Sequence, residues 1–194
     1  MENLFQSVVA LQEQLRQAGI LSAVIGGVAV GVWGEPRVTR DVGIKVLLGR
    51  DAAPRLLEAI GPDYVPLQAD PLAALTRTGV LFVQDAQGTR LDLLLSDVSF
   101  DAEAIRRARE VTLQPGLVAS VCSPEDLIVY KLISTRQRDH DDAESVVRRQ
   151  GDALDDEYVL TWLRRFEQAL DDSTLVATYR RIRARWSRHR QEDE

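Results

Sequence analysis

The spacing of hydrophobic residues divides the 194-residue sequence into two regions. In the first, up to Cys122, short apolar runs typical of strands alternate with apolar residues three or four positions apart, which indicate helices. From Ser123 to the end the spacing is helical only. The pattern therefore predicts an α/β region followed by a helical region.

The first region has the pattern of a small sheet flanked by helices. Apolar residues at helical spacing from Leu4 to Leu15 predict a first helix, which Gly19 closes. Predicted strands are residues 22–25, 42–48, 80–83, 90–95, 111–113 and 117–121. A hairpin turn at residues 85–88 joins the third strand to the fourth. We therefore expect an α/β (α+β) fold with a small mixed β-sheet and a helical C-terminal part.

The second region opens with a strong helix-start signal. Ser123 is a capping residue, Pro124 suits the first helical position, and the acids Glu125 and Asp126 are favoured in the first turn. Predicted helices follow at residues 125–135, 139–149, 156–169 and 173–188. The expected organisation is a core of residues 1–122 and a helical region, residues 123–194, packed on that core.

The stretch from Ile25 to Leu47 carries the candidate chemistry. Gly26 and Gly27 lie where a strand gives way to a short helix, so free N–H groups and the positive end of the helix dipole face a ligand there. Such a turn favours anions. Asp41, at the head of the next strand, could hold Mg²⁺ against the same anion, because Mg²⁺ binds one or two carboxylates plus phosphate oxygens. The residues indicate a site for a metal-bound nucleoside triphosphate.

Asp92 is the second candidate carboxylate. It lies between Leu91 and Leu93 on a predicted interior strand, where a carboxylate is costly unless it is paired or binds a metal. Alternatively, strand alternation places Asp92 on a solvated face, opposite the two leucines. Both interpretations are compatible with the sequence.

The motif from Gly26 to Asp41 resembles the signature of the DNA polymerase β-type nucleotidyltransferase superfamily in its minimal form. The resemblance is greatest to AbiEii-like toxins, whose pattern is Gly-Gly, a short helix and Arg-x-Thr-x-Asp-x-Asp. The matching residues are Gly26, Gly27, Arg37, Thr39 and Asp41. The resemblance implies that they bind a nucleotide, that Asp41 and Asp92 hold Mg²⁺, and that Asp92 activates the attacking hydroxyl.

The sequence departs from this pattern at Gly43, the position of the second acid. Glycine cannot ligate a metal, and it is a poor strand residue with no evident packing reason at this position. One hypothesis is that Gly43 inactivates or attenuates an enzyme that is toxic when intact. The other is that the chain is a natural pseudoenzyme, which binds a nucleotide or RNA without transferring a nucleotide. The codons for aspartate and glycine differ by one base.

A second block runs from Pro124 to Asp142. Lys131 lies beside the predicted apolar face of its helix, where it could reach the β- and γ-phosphates or extend to solvent as an ordinary lysine. The block resembles the Pro-Glu-Asp…Lys…Arg-Asp-x-x-Asp string of the same toxin-like family. That resemblance implies that Lys131 contacts the triphosphate and that Asp139 and Asp142 line the site.

Charge is unevenly distributed in this chain of net charge −6. Residues 179–190 are strongly basic and include Tyr179 and Trp186. This stretch could grip RNA phosphates while its aromatic rings stack on bases. Alternatively, it is an amphipathic helix in which Ile182 and Trp186 dock on the core.

Composition and resemblance together suggest a setting for the protein. The single cysteine, Cys122, excludes an intrachain disulfide and favours the reducing cytoplasm. No apolar run approaches the roughly 20 residues that cross a bilayer, so we expect no membrane partner. The resemblance implies a toxin of a toxin–antitoxin pair that acts on tRNA, with an NTP as substrate and a cognate antitoxin as partner. Alternatives are nucleotidylation of a protein or of a small molecule such as an antibiotic.

Overall fold

The computed structural model describes residues 2–39 and 41–193. The chain divides into two compact units. The first, here called the sheet unit, comprises Met1–Val28 and Val38–Cys122; the second, the helical unit, comprises Ala29–Arg37 and Ser123–Glu194. The predicted organisation, with residues 123–194 packed on a core of residues 1–122, stays a prediction.

The sheet unit contains one mixed sheet, which has seven strands within the described residues. The strands are β1 (Ser22–Ile25), β2 (Asp41–Val46), β3 (Val65–Pro66), β4 (Val80–Gln84), β5 (Arg90–Leu95), β6 (Arg109–Gln114) and β7 (Leu117–Val121). Their spatial order is β3-β4-β5-β2-β1-β7-β6. Strand β2 is parallel to β5 and β1 is parallel to β7, whereas the other pairs are antiparallel.

The two central strands β2 and β5 have one apolar and one polar face. Side chains alternate across a strand, so every second residue faces the same side. On the apolar face the fully buried residues are Val42, Ile44, Val46, Leu91 and Leu93. The opposite face carries Asp41 and Gly43 of β2 with Arg90 and Asp92 of β5. The core therefore lies on the side of the sheet opposite the candidate residues. Burial of its apolar side chains fixes which residues of β2 and β5 face each side.

Helix α1 precedes the first strand, and helices α2 to α5 lie between strands in the chain. Their bounds are α1 (Glu2–Gln17), α2 (Gly26–Trp33), α3 (Ala53–Ile60), α4 (Pro71–Thr78) and α5 (Ser99–Arg106). Asp70 caps α4 by accepting a 2.9 Å hydrogen bond from the Ala73 backbone N–H, as its position before a proline predicts. The chain passes from the sheet unit to the helical unit within α2.

The helical unit contains the remaining helices, α6 (Pro124–Leu132), α7 (Gln137–Gln150), α8 (Asp156–Leu170) and α9 (Leu175–Asp193). Ser123 caps α6, and its hydroxyl oxygen accepts a 3.1 Å bond from the Asp126 N–H. In α9, Tyr179 and Ile182 are 1% and 4% exposed. Ile182 therefore lies on a buried face of α9, as an amphipathic helix requires, and the Tyr179 ring is not accessible for base stacking. The side chains of residues 189–190 lie outside the described part of the chain.

The predicted fold class is confirmed: the structure is a mixed α/β fold with a helical C-terminal part. Strand β3 was not predicted, because its two residues, Val65 and Pro66, are too few to form an alternating pattern. Within the described residues, no helix is both long enough and apolar enough to cross a membrane.

Candidate functional site

Asp41 and Asp92 lie on the same face of the sheet. In the parallel pairing of β2 with β5, Asp41 is the partner of Arg90 and Gly43 is the partner of Asp92. Partners on neighbouring strands point to the same side, as do residues two positions apart on one strand. From strand spacing and rise, the Cα atoms of the two aspartates are about 8 Å apart, close enough for their side chains to converge.

Gly43 lies directly opposite Asp92 on this face. A Cβ atom at position 43 would lie 3.1 Å from Cγ1 and 3.6 Å from Cδ1 of Ile25, and 3.8 Å from Cδ1 of Leu94. These contacts are with flexible side chains, and no backbone atom stands in the way. The backbone of β2 therefore accepts a side chain at position 43 if Ile25 shifts by a few tenths of an ångström.

The Asp92 carboxylate is held by Arg90. The guanidinium donates from Nε to Oδ1 at 2.7 Å and from Nη2 to Oδ2 at 3.2 Å. It also lies 4.2 Å from the centre of the Phe82 ring, and Phe82 is the partner of Asp92 on β4. The side chain of Asp92 is 17% exposed, so it faces away from Leu91 and Leu93 as the solvated-face alternative expected, and it is also ion-paired.

Asp41 is exposed at the start of β2. The Thr39 hydroxyl donates to the backbone oxygen of Asp41 at 2.9 Å and lies 3.4 Å from its Oδ1. The predicted nucleotide-binding residue Thr39 thus shapes the turn that leads into the strand. The carboxylate of Asp41 remains directed to the solvent side, where a ligand can reach it.

Gly26 and Gly27 form the first turn of α2, directly after β1. Gly26 has φ of 69°, a conformation in which residues with a Cβ are strained. No atom lies within 4 Å of the place where its Cβ would be. The requirement for glycine is therefore conformational, and the space in front of this turn is open.

The donor set on the sheet face fits one Mg²⁺ ion better than two. Mg²⁺ is usually held by one or two carboxylates together with waters and substrate phosphates, and Asp41 and Asp92 satisfy that requirement. A two-metal site needs further carboxylates, and Gly43 supplies none. Within the described residues no group of three or more histidine, cysteine, aspartate or glutamate side chains could hold a metal ion.

In the helical unit, Lys131, Asp139 and Asp142 form a buried ion cluster. Lys131 Nζ lies 2.5 Å from Asp139 Oδ1 and 2.8 Å from Asp142 Oδ2. The lysine side chain is 8% exposed, and the aspartates are 4% and 6% exposed. Sequence spacing placed these three residues in one block, and the structure brings them into direct contact.

Arg37 joins the ion cluster through Asp142. Its Nε donates to Oδ1 and its Nη2 donates to Oδ2, both at 2.9 Å, so the pair is bidentate. Arg136 donates from Nε to Asp139 Oδ2 at 2.6 Å. Three cations therefore surround two carboxylates, which leaves one positive charge in excess.

The ion cluster shifts the acid–base equilibria of its carboxylates. Burial raises the pKa of Asp139, but the bonds from Lys131, Ser134 and Arg136 outweigh it and hold the pKa at about 2. Burial likewise opposes ionisation of Asp142, and the bonds from Arg37 and Lys131 lower its pKa below the usual value. Both carboxylates are therefore ionised at neutral pH.

The predicted site residues thus fall into two groups. The sheet unit holds Gly26, Gly27, Thr39, Asp41, Gly43 and Asp92, and the helical unit holds Arg37, Lys131, Asp139 and Asp142. The expected contact of Lys131 and Arg37 with a nucleotide remains a prediction. The sequence interpretation missed Arg90, although its position two residues before Asp92 on a strand places both side chains on one face.

Comparisons with known proteins support the fold. No protein-family model and no curated protein matches the sequence. Among solved structures, a nucleotidyltransferase-like antigenic protein from Paracoccidioides brasiliensis is similar, with a TM-score of 0.53 and 18% identity over 90% of this chain and 96% of the other. ANT(2″)-Ia in complex with adenylyl-2″-tobramycin has a TM-score of 0.52 and 12% identity over 86% and 98% of the two chains.

These similarities define the class of fold: the chain has the mixed α/β fold of nucleotidyltransferase-like proteins. At 18% and 12% identity, the likeness is one of fold. The AbiEii-like subgroup rests on the sequence motifs alone.

Proposed function

We propose that this protein is a nucleotidyltransferase that moves a nucleoside monophosphate from an NTP to an acceptor hydroxyl, and that Gly43 impairs this transfer. The observation that carries the proposal is the shared face of Asp41 and Asp92, with Gly43 directly opposite Asp92. Two carboxylates in this register, beside a Gly-Gly helix start, suit a triphosphate with one Mg²⁺ ion.

The proposed reaction is a displacement at the α-phosphorus. The acceptor oxygen forms a bond to phosphorus, the bond to the bridging oxygen breaks, and pyrophosphate leaves. The hydroxyl proton passes to Asp92, which serves as general base. The turn at Gly26 and Gly27 binds phosphate oxygens with backbone N–H groups, and Asp41 orients the nucleotide's reacting end. Bound Mg²⁺ would neutralise charge that builds up on the phosphate oxygens.

Gly43 leaves this arrangement one carboxylate short. The glycine does not distort β2, since the strand pairs with β5 from Asp41 to Val46 and with β1 from Gly43 to Val46. We therefore favour attenuation of an intact scaffold. The alternative is a pseudoenzyme that binds nucleotide or RNA. The two hypotheses make different predictions, because a carboxylate at position 43 would not produce nucleotide transfer in a pseudoenzyme.

Two variants of nearly equal size test the proposal. Gly43→Asp restores the carboxylate, whereas Gly43→Asn fills the same space without a charge. Each is incubated with each of four α-labelled NTPs, MgCl₂ and total cell RNA, protein or small-molecule extract. We expect label transfer by Gly43→Asp at least about 100-fold above Gly43→Asn, on the scale of a lost electrostatic contact in catalysis. Equal transfer by the two variants would refute the attenuation hypothesis.

The acceptor that the sequence resemblance suggests is tRNA, in the setting of a toxin–antitoxin pair. Exposed arginines on α9, among them Arg180 and Arg181, provide positive charge for RNA phosphates. If tRNA is the acceptor, Arg180→Glu/Arg181→Glu weakens tRNA binding and reduces its dependence on salt concentration. The control Arg180→Lys/Arg181→Lys keeps both charges and has little effect.

A small molecule is the second candidate acceptor. Its support is the burial of Tyr179, which removes one of the two aromatic rings expected to stack on bases. In addition, ANT(2″)-Ia, a protein of similar fold, was solved with adenylyl-2″-tobramycin. This acceptor would be supported if Gly43→Asp transferred label to an aminoglycoside and none to RNA.

A further inference from the structure

Arg90 lies within the proposed metal-binding face. It is the direct partner of Asp41 in the β2–β5 register, and it holds both oxygens of Asp92. The guanidinium is therefore bonded to one of the two carboxylates that the proposed function assigns to the metal, and Arg90 is the strand partner of the other. The Arg90 guanidinium therefore already binds the carboxylate oxygens of Asp92 that a divalent ion would need as ligands.

Charge arithmetic shows the size of this effect. Asp41 and Asp92 contribute −2 and Arg90 contributes +1, so the set carries −1. With a third acid at position 43, as in the superfamily pattern, the same set would carry −2. Gly43 and Arg90 thus act in the same direction, since each lowers the attraction of the face for a divalent cation.

The next cation on this face, Lys45, is engaged elsewhere. It lies two residues beyond Gly43, and its Nζ is 2.7 Å from Asp101 Oδ2 and 3.1 Å from the Leu95 backbone oxygen. Its side chain is 13% exposed, compared with 44% for Arg90. Lys45 is therefore part of the packing against α5, and Arg90 is the cation that a ligand can displace.

We propose that Arg90 competes with divalent cations for Asp92 and thereby sets the metal affinity of this face. The inference rests on the proposed function, because it takes Asp92 as a metal ligand. Phe82 supports the exchange: its ring lies under the guanidinium, so Arg90 keeps a favourable cation–π contact when it releases the carboxylate. Arg90 is a positioning residue that acts through Asp92.

The test compares Arg90→Gln with a matched control, Arg50→Gln. Arg50 binds Asp97 in the same way, from Nε to Oδ1 at 3.0 Å and from Nη2 to Oδ2 at 2.7 Å, and the two arginine side chains are about equally exposed, at 41% and 44%. Arg50 also donates to the backbone oxygens of Thr76 and Arg77. Both variants remove one positive charge and one Arg–Asp pair. Mn²⁺ alone, without nucleotide, is titrated into each protein, and free Mn²⁺ is measured by electron paramagnetic resonance.

We expect Arg90→Gln to bind Mn²⁺ roughly tenfold more tightly than the wild type, the size of effect that a unit charge about 5 Å from a divalent ion has in water. Arg50→Gln should change the affinity less than twofold. Equal affinities of Arg90→Gln and Arg50→Gln would overturn the proposal. So would a loss of triphosphate binding in Arg90→Gln with unchanged Mn²⁺ affinity, which would make Arg90 a phosphate ligand.

A second pair keeps the test decisive if two carboxylates bind Mn²⁺ too weakly to measure. Gly43→Asp and Gly43→Asp/Arg90→Gln should differ by the same factor. This design distinguishes failure of the nucleotidyltransferase proposal from failure of the proposed competition between Arg90 and the metal. If Arg90→Gln tightens Mn²⁺ binding but no variant binds a triphosphate, the nucleotidyltransferase proposal fails and the competition stands. If triphosphate binds and Mn²⁺ affinity is unchanged, only the competition fails.

Discussion

Gly43 and Asp92 are direct partners in the parallel pairing of β2 with β5. A carboxylate at position 43 would therefore stand beside the Asp92 carboxylate on one face, near Asp41. Like charges at directly opposite positions in a sheet repel, and a divalent cation between them removes the repulsion. This relationship makes the stability of the sheet a reporter of metal binding that does not depend on catalysis.

Gly43→Asp should be less stable than Gly43→Asn by about 0.5–1 kcal/mol in the absence of metal, because only the aspartate repels Asp92. Ile25 must shift equally in both variants, so its cost cancels. Urea unfolding measures the difference, and 10 mM MgCl₂ should abolish it. A difference that persists in MgCl₂ would mean that no cation binds between the two carboxylates.

Lys131→Met should destabilise the protein by about 3 kcal/mol, because it leaves Asp139 and Asp142 buried without their common cation. Arg16→Met is the matched control. It removes an ion pair to Glu13 at 2.7 Å that is 70% exposed on the arginine side, and such exposed pairs contribute little to stability. Urea unfolding at pH 7 compares the two. Equal losses would show that the ion cluster contributes no more than a surface pair.

Acid should weaken the protein through the same ion cluster. The pKa of Asp139 is lowered to about 2 in the folded state, from 3.8, and that of Asp142 is lowered too. Because the folded values lie below the unfolded ones, the stabilisation is complete above about pH 5 and is lost as the pH falls toward 2. For Asp139 it amounts to about 2 kcal/mol.

The control for this pH dependence is Asp139→Asn, which has no titrating group at position 139. Its urea midpoint should fall less between pH 5 and pH 3 than that of the wild type. Parallel curves for the two proteins would show that Asp139 does not contribute to acid unfolding.

Tyr179→Phe should cost about 1 kcal/mol, because the Tyr179 hydroxyl donates a hydrogen bond to Asp156. Tyr179→Ala should cost about 3–5 kcal/mol, since the ring is 1% exposed. Thermal unfolding of both variants checks this ranking. A Tyr179→Ala variant as stable as the wild type would show that α9 does not pack through this ring.

The hydrophobic pattern of the sequence predicts β2 and β5, the two strands that carry the candidate carboxylates. Alternation in Val42-Gly43-Ile44 and Leu91-Asp92-Leu93 predicts both strands and which residues of each strand share the apolar face. The pairing of β2 with β5 was not predictable in the same way, because the two strands are far apart in the chain. Which residue stands opposite Asp92 is a property of the tertiary fold.

The ion-pair partners of Lys131 and Arg90 are not predictable from the sequence pattern in the same way. Lys131 was placed beside an apolar helix face, but its burial depends on how α6 and α7 pack, and no local pattern records that. Arg90 carried a local signal in its position two residues before Asp92. A charged residue at a strand end is usually solvated, so this position alone does not indicate an ion pair.

The fit around Gly43 has a consequence for how this protein can change over time. The atoms nearest to a Cβ at this position belong to the side chains of Ile25 and Leu94, and the strand is paired on both sides at Gly43. A lineage that carries this glycine can therefore acquire an acidic residue at position 43 in one mutational step, with a shift of the Ile25 side chain.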